Sequence, residues 1–204
     1  MKIKIISLST SVLALGLLIA SVTTKAADYL IDTKGAHAFI QFRVQHLGYS
    51  WLYGRFNSFS GKFSYDESAP GKASLEITIN TKSVDSNHAE RDKHLRGRDF
   101  LDVAKFPQAK FVSTRYIPGK KGRGVLQGSF TLHGITKPIS ISVESIGAGN
   151  DPWGGYRRGF EGRAKFTMAD FGLTKNLGYK SKDVELILSI EGTKLRPKES
   201  SAPW

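Results

Sequence analysis

AFIQFRVQH, residues 38–46, carries the signal from which the fold follows. Its even positions, Ala38, Ile40, Phe42 and Val44, are apolar, while Gln41, Arg43 and Gln45 point the other way. A period of two is the mark of a strand with one buried face. The same pattern recurs along the chain. In 53–65 Phe59, Phe63 and Tyr65 lead, although Phe56 breaks the parity. Leu75, Ile77 and Ile79 follow, then Ala109, Phe111 and Ser113, then Leu126, Phe130 and Leu132. Ile139, Ile141 and Val143 come next, then Phe160, Ala164, Phe166 and Met168, and last Val184, Leu186, Leu188 and Ile190. The reading predicts eight strands. Between them, DESAPG (66–71), PGKKGRG (118–124), HGITKP (133–138) and NDPWGG (150–155) supply turn chemistry. Eight strands with one apolar parity predict a sandwich or an up-and-down barrel, and periodicity cannot separate a filled interior from a hollow one.

One stretch departs from the pattern. NHAERDKHLRGRDFLDVAKFPQAKF (87–111) reads as a short helix, with Asn87 as N-cap, Glu90 three residues on and Gly97 as the stop. Glu90 near its start and Lys93 and Arg96 near its end suit the helix dipole. Ala89 and Leu95 are its only apolar residues, too few for a core helix. It is expected to be a polar lid or plug, with Phe100, Leu101, Val103 and Phe106 folding in behind it.

Residues 1–26 read as a cleavable signal peptide. Lys2 and Lys4 precede an apolar run, Ile5 to Ala20, and Thr24-Lys25-Ala26 offers small residues for cleavage before Ala27. The expected location is therefore the periplasm. Export also sets nucleic acid aside as a partner. Without Lys2, Lys4 and Lys25 the chain keeps 27 basic against 18 acidic residues, a balance of +9. That charge suits an anionic membrane surface, where transient docking is expected, or a phosphate-bearing ligand. Cysteine is absent, so neither disulfide nor thiol chemistry is available. The domain is expected over 27–193, with a flexible tail over 194–204.

No motif supports catalysis. There is no GxSxG elbow, and PGKKGRG lacks the Lys-Ser/Thr ending of a phosphate loop. His88 pairs with Asp92 and Glu90 with His94 at i,i+4 spacing on a helix, but six residues turn His88 and His94 about 240° apart. They cannot chelate together, a third ligand would have to come from His37, His46 or His133, and no metal is expected. Twelve Phe, three Trp and seven Tyr, with clusters at Tyr49–Tyr53 and at Trp153 and Tyr156, suit either a packed core or an apolar ligand site.

Five strings together resemble a known family: HAFIQFRVQHLGYSWLYGRF (37–56), SVDSNHAERDKHLRGRDFLDVAKFPQAKF (83–111), LHGITKPI (132–139), DPWGGYRRGFEG (151–162) and VELILSIEG (184–192). In order, and across the whole chain after the signal segment, they are similar to the YceI-like proteins of the bacterial periplasm. The extension after Thr193 is the clearest departure. The resemblance implies an all-β, eight-stranded antiparallel, lipocalin-like barrel with a short helical insertion. It further implies a hydrophobic tunnel that holds a polyisoprenoid, such as a quinone tail or its precursor, or in some members a similar amphiphilic lipid such as a fatty amide, and requires no cofactor. Combined with strand parity, it points to Ile40, Phe42, Val44, Phe59, Ile77, Phe111, Phe130, Ile141, Phe166 and Leu188 as tunnel lining. Leu95, Phe100 and Phe106 are expected from the lid, and His46, Arg91 and His94 at a polar head group. Sequestration is the expected role. An enzyme acting on a bound head group through His88, Arg91 and His94, or a stress protein with a filled barrel and protein partners, stays open beside it, as does a homodimer.

Overall fold

The structure, a computed structural model, describes residues 26–196. Eleven strands form one antiparallel sheet: β1 (Ala27–Ile31), β2 (Phe39–His46), β3 (Ser50–Phe56), β4 (Phe59–Tyr65), β5 (Ser74–Asn80), β6 (Val84–Asp85), β7 (Gln108–Pro118), β8 (Arg123–Leu132), β9 (Ile135–Asn150), β10 (Tyr156–Thr167) and β11 (Asp183–Lys194). Eight of them close a ring in the order β1-β4-β5-β7-β8-β9-β10-β11, and β11 pairs back onto β1. The chain is a closed eight-stranded antiparallel barrel. The remaining three strands prolong ring strands toward one end. β2 continues β1 along the same edge of β11, β3 continues β4, and β6 continues β5.

These interruptions explain where the sequence pattern faltered. The run 53–65 is two strands that meet at Asn57 and Ser58, so inward positions switch from even (Leu52, Gly54, Phe56) to odd (Phe59, Phe63, Tyr65). Phe56 obeys the parity of its own strand. β1 was not expected, because only Tyr29 and Ile31 of its five residues are buried and no period can be read from two. The turn expected over 133–138 is only His133-Gly134, both at positive φ, and β9 starts at Ile135. Met168, read as strand, begins a short 3-10 turn over Met168–Phe171. Lys194 and Leu195, at the start of the expected tail, still contact the barrel: Lys194 pairs with Tyr29, and the Leu195 N–H donates to Asp28 O at 2.8 Å. The signal-peptide reading lies almost wholly outside the described residues, as does the tail from 197.

The ring is complete at one end and split at the other. Among the described residues β6 pairs only with β3, and no ladder joins it to β7. The split is filled by residues 86–107, whose one helix is α1 (Ala89–Arg96). Its N-cap is His88, whose ring Nδ1 accepts the Arg91 N–H at 3.2 Å, not Asn87, which sits at φ 61. Gly97 ends the helix as expected. Neither i,i+4 pair forms. Asp92 instead turns inward and is buried, accepting from Ser86 N at 2.8 Å and Ser86 Oγ at 2.5 Å. Arg96 Nη1 donates to Val84 O at 3.1 Å, and Thr81 Oγ1 to Phe106 O at 2.7 Å. These bonds tie the insertion to the β5–β6 side of the split, and Lys175 Nζ donates to Asp99 Oδ2 at 2.7 Å from the loop before β11. No described helix is long and apolar enough to cross a membrane.

Inward glycines make room for aromatic rings. Phe42 pairs with Gly54, and a Cβ on Gly54 would lie 2.3 Å from Phe42 Cζ. Gly54→Ala is therefore expected to cost about 1–3 kcal/mol through overpacking. Its urea midpoint measures this; an unchanged midpoint would mean that the ring moves aside freely.

At the complete end, Arg157 binds three carboxylates: Asp32 at 2.6 Å, Glu191 at 2.6 Å and Asp151 at 2.8 Å. This pins the β1–β2 connection and the β9–β10 hairpin onto β11. The His37 ring hydrogen-bonds to Asp32 at 2.9 Å. With His37, Arg157 and the Gly35 N–H on it, the Asp32 carboxyl is held at about 2.

Candidate ligand cavity

The barrel is hollow. A cavity of about 790 Å³ runs through it, within the size range of small-molecule sites. Its wall is aliphatic and aromatic, built from the inward positions of every long strand. Of the sixteen residues expected to contact ligand, fourteen line it: Ile40, Phe42, Val44, His46, Ile77, Arg91, His94, Leu95, Phe100, Phe111, Phe130, Ile141, Phe166 and Leu188. Phe59 and Phe106 do not. Phe59 sits just past the β3–β4 kink, and Phe106 packs against the His133 ring with centroids 4.4 Å apart. Lining residues that the expected set left out fall into two kinds. Phe63, Leu126, Leu132 and Phe160 follow strand parity, so the same signal reaches them. Gln45, Leu173, Asn176 and Leu177 do not, because they come from a strand's outward side or from the irregular loop 168–182.

Polar groups gather at one end. Gln45, His46, Arg91, His94, Asn176 and Ser181 lie where the β2–β3 turn, α1 and the 168–182 loop converge. Of the lining residues here, His46, Leu47, His94 and Asn176 are also exposed, so this is the mouth. Arg91 is half-buried, and its guanidinium donates Nε–H to Ser86 Oγ at 2.7 Å and an Nη2–H to Ser86 O. No carboxylate lies within ion-pair distance of it among the described residues, so a cation faces the mouth without a bridging partner. Among the described residues the His46 and His94 rings make no hydrogen bond there either, and neither has the base–orienter pairing that nucleophilic catalysis needs. His88 is spent on the helix cap and does not reach the wall. Deeper in, burial and the neighbouring Tyr65 push the Tyr116 phenol above its ordinary value, so it lines the cavity as a neutral group.

Metal-ligating side chains converge elsewhere. Among the described residues Asp32, His37 and Glu191 bring ligand atoms within 4.8 Å of one another, at the complete end. Arg157 already bridges the two carboxylates there, so the group is an ion-pair cluster.

The YceI-like domain model matches residues 29–192, from within β1 to within β11. The chain belongs to the YceI-like family. Among its curated relatives, a "UPF0312 protein" of Serratia proteamaculans (strain 568) is 54% identical over 180 residues, covering 88% of this chain and 93% of the relative. Another, of Yersinia pestis (strain Pestoides F), is 55% identical over 171 residues, covering 84% and 88%. Solved YceI-like barrels superpose along most of their length. The Campylobacter jejuni YCEI protein is 26% identical with a TM-score of 0.66, over 75% of this chain and 91% of that one. BcnA of Burkholderia cenocepacia has a TM-score of 0.70 at 18% identity, over 79% and 98%. A polyisoprenoid binding domain from Saccharophagus degradans has a TM-score of 0.59 at 15% identity, over 84% and 100%. The last two establish the YceI-like fold and nothing finer.

Proposed function

We propose that this protein binds and sequesters one long-chain amphiphile of the isoprenoid class, in the periplasm, without chemical turnover. The observation that carries the reading is the cavity itself: about 790 Å³ with a predominantly apolar wall inside a closed barrel, its charged and imidazole side chains Arg91, His46 and His94 set at the mouth. Every described buried side-chain polar atom already has a partner. The wall therefore asks for an apolar occupant. Burial of such a chain yields roughly 0.8 kcal/mol per methylene-sized unit, so each five-carbon repeat is worth about 4 kcal/mol before ordering costs. The tail lies among Ile40, Phe42, Phe111, Phe130 and Leu188. The head meets Arg91, His94 and His46, where the unbridged guanidinium favours an oxygen-rich or anionic group. The polyisoprenoid binding named for the Saccharophagus domain supports this ligand class.

Native mass spectrometry of the protein recovered from a bacterial periplasm, followed by organic extraction, tests the proposal. One adduct per chain that extracts as an isoprenoid is the expected result. A bare mass that stays bare after incubation with long-chain isoprenoid quinones would refute it.

A further inference from the structure

The same tripeptide occurs at two places that the fold brings together. Leu47-Gly48-Tyr49 forms the β2–β3 turn, and Leu177-Gly178-Tyr179 lies in the loop before β11. In both, the leucine lines the cavity and the glycine takes a left-handed φ, 88° and 94°. In both, the tyrosine is thrown outward, Tyr49 at 86% and Tyr179 at 76% exposure. The two loops interlock. The Leu47 N–H donates to Ser181 Oγ at 3.3 Å, and Ser181 Oγ–H donates to Gln45 O at 2.6 Å. A Cβ on Gly178 would lie 3.1 Å from Leu47 Cδ2, and one on Gly48 3.1 Å from Lys180 Cγ. Lys180 Nζ stands 5.3 Å from the centre of the Tyr179 ring.

We propose that these paired loops are a docking surface for an anionic bilayer, set around the cavity mouth. Resting on the reading of that cavity as a lipid site, it assigns the route by which the lipid is exchanged. Tyrosine has an apolar body and a polar tip and prefers the headgroup level of a membrane. Leu47, half exposed beside two such rings, supplies the apolar part that sinks below them. Exposed Lys180 and Lys182 on one loop, with Lys93 and Arg98 from the insertion at the same end, complement anionic headgroups. The exposed acids of this end do not cancel them, since Asp99 is held by Lys175 at 2.7 Å, leaving Glu90 and Asp170. Because Leu47 and Leu177 belong both to the rim and to the cavity wall, a docked mouth opens into the lipid layer instead of into water.

The test is sedimentation of the chain from Ala27 onward, which contains every described strand, with vesicles of phosphatidylethanolamine and phosphatidylglycerol. Lys180→Ala with Lys182→Ala is expected to weaken association about fivefold per lysine, and high salt to abolish it. Tyr49→Ser with Tyr179→Ser is expected to weaken it by a comparable factor. Lys120→Ala with Lys121→Asn removes the same charge at the opposite end of the barrel and is expected to leave association unchanged. The idea is overturned if the rim variants sediment like the parent. It is equally overturned if the opposite-end variant loses as much, or if phosphatidylcholine vesicles bind as well. The lipid adduct is read on the same samples. Rim variants that keep the adduct and lose the vesicles separate docking from ligand binding, and a parent that binds vesicles through the rim with an empty cavity refutes the proposed function alone.

Discussion

Val143→Trp is expected to empty the cavity while leaving the barrel folded. Val143 is a half-buried wall residue on β9, and its cross-strand partner on β10 is Gly162, which also lines the cavity. The indole can lie over that glycine and project into space that the ligand chain would fill. Displacing three or four methylene-sized units forfeits about 2–3 kcal/mol, on the order of a hundredfold in affinity. The adduct in native mass spectrometry should fall to a trace. The thermal midpoint should stay near that of the parent, since the added ring fills a void and breaks no ladder. Val112→Trp, the same change at an exposed position of β7, is the matched control and should retain the adduct. Full retention in Val143→Trp would place the ligand outside the barrel.

Arg157→Met is expected to cost about 2–4 kcal/mol at neutral pH, because it removes the guanidinium that bridges Asp32, Asp151 and Glu191 and leaves these carboxylates together beside His37. The loss depends on pH with a definite sign. The folded-state value of Asp32, about 2, lies below its ordinary 3.8. A depressed carboxyl contributes stability that is complete above its unfolded value and lost as pH falls through the folded one. Asp151 is shifted in the same direction, first by the Gly155 N–H and then by Arg157. The parent should therefore hold its urea midpoint down to about pH 4 and lose stability toward pH 2. The variant should start lower, lose less than the parent as pH falls below about 4, and converge on it as pH passes through about 2, where the Asp32 carboxyl of the parent takes up its proton. A constant gap between the two at every pH would mean that Arg157 acts by packing alone.

Strand parity made most of this molecule legible. It placed every ring strand but β1 and nine of ten wall residues, with Phe59 as its one misplacement, because an inward position repeats every second residue whatever the ladder does elsewhere. What it could not show was closure. The pairing of β1 with β11 joins the two ends of the domain, and no local pattern records a contact across 160 residues of chain; the resemblance to a family supplied it. The insertion was legible as a polar helix, but its cap was not. Asn87 is the residue type that caps, whereas His88 caps because Asp92 pulls Ser86 inward and turns the preceding backbone. The mouth was half legible. His46, Arg91 and His94 carried a visible polar signal, while Asn176 and Ser181 sit in a loop without periodicity, and only the fold brings them opposite α1.

The split between β6 and β7 gives the protein two separate clocks. A fully laddered barrel can admit a long chain only through its rim or by tearing strand from strand, an event as rare as global unfolding. Here residues 86–107 carry no ladder and are held by side-chain bonds from Thr81, from Arg96 to Val84 and from Lys175 to Asp99, so this stave is the part of the wall that can open without tearing strand from strand. For a lipid held as proposed, residence time would follow the stave and durability the hoop. Tightening this one segment is then the expected way to lengthen the stay of a guest without touching the walls that choose it.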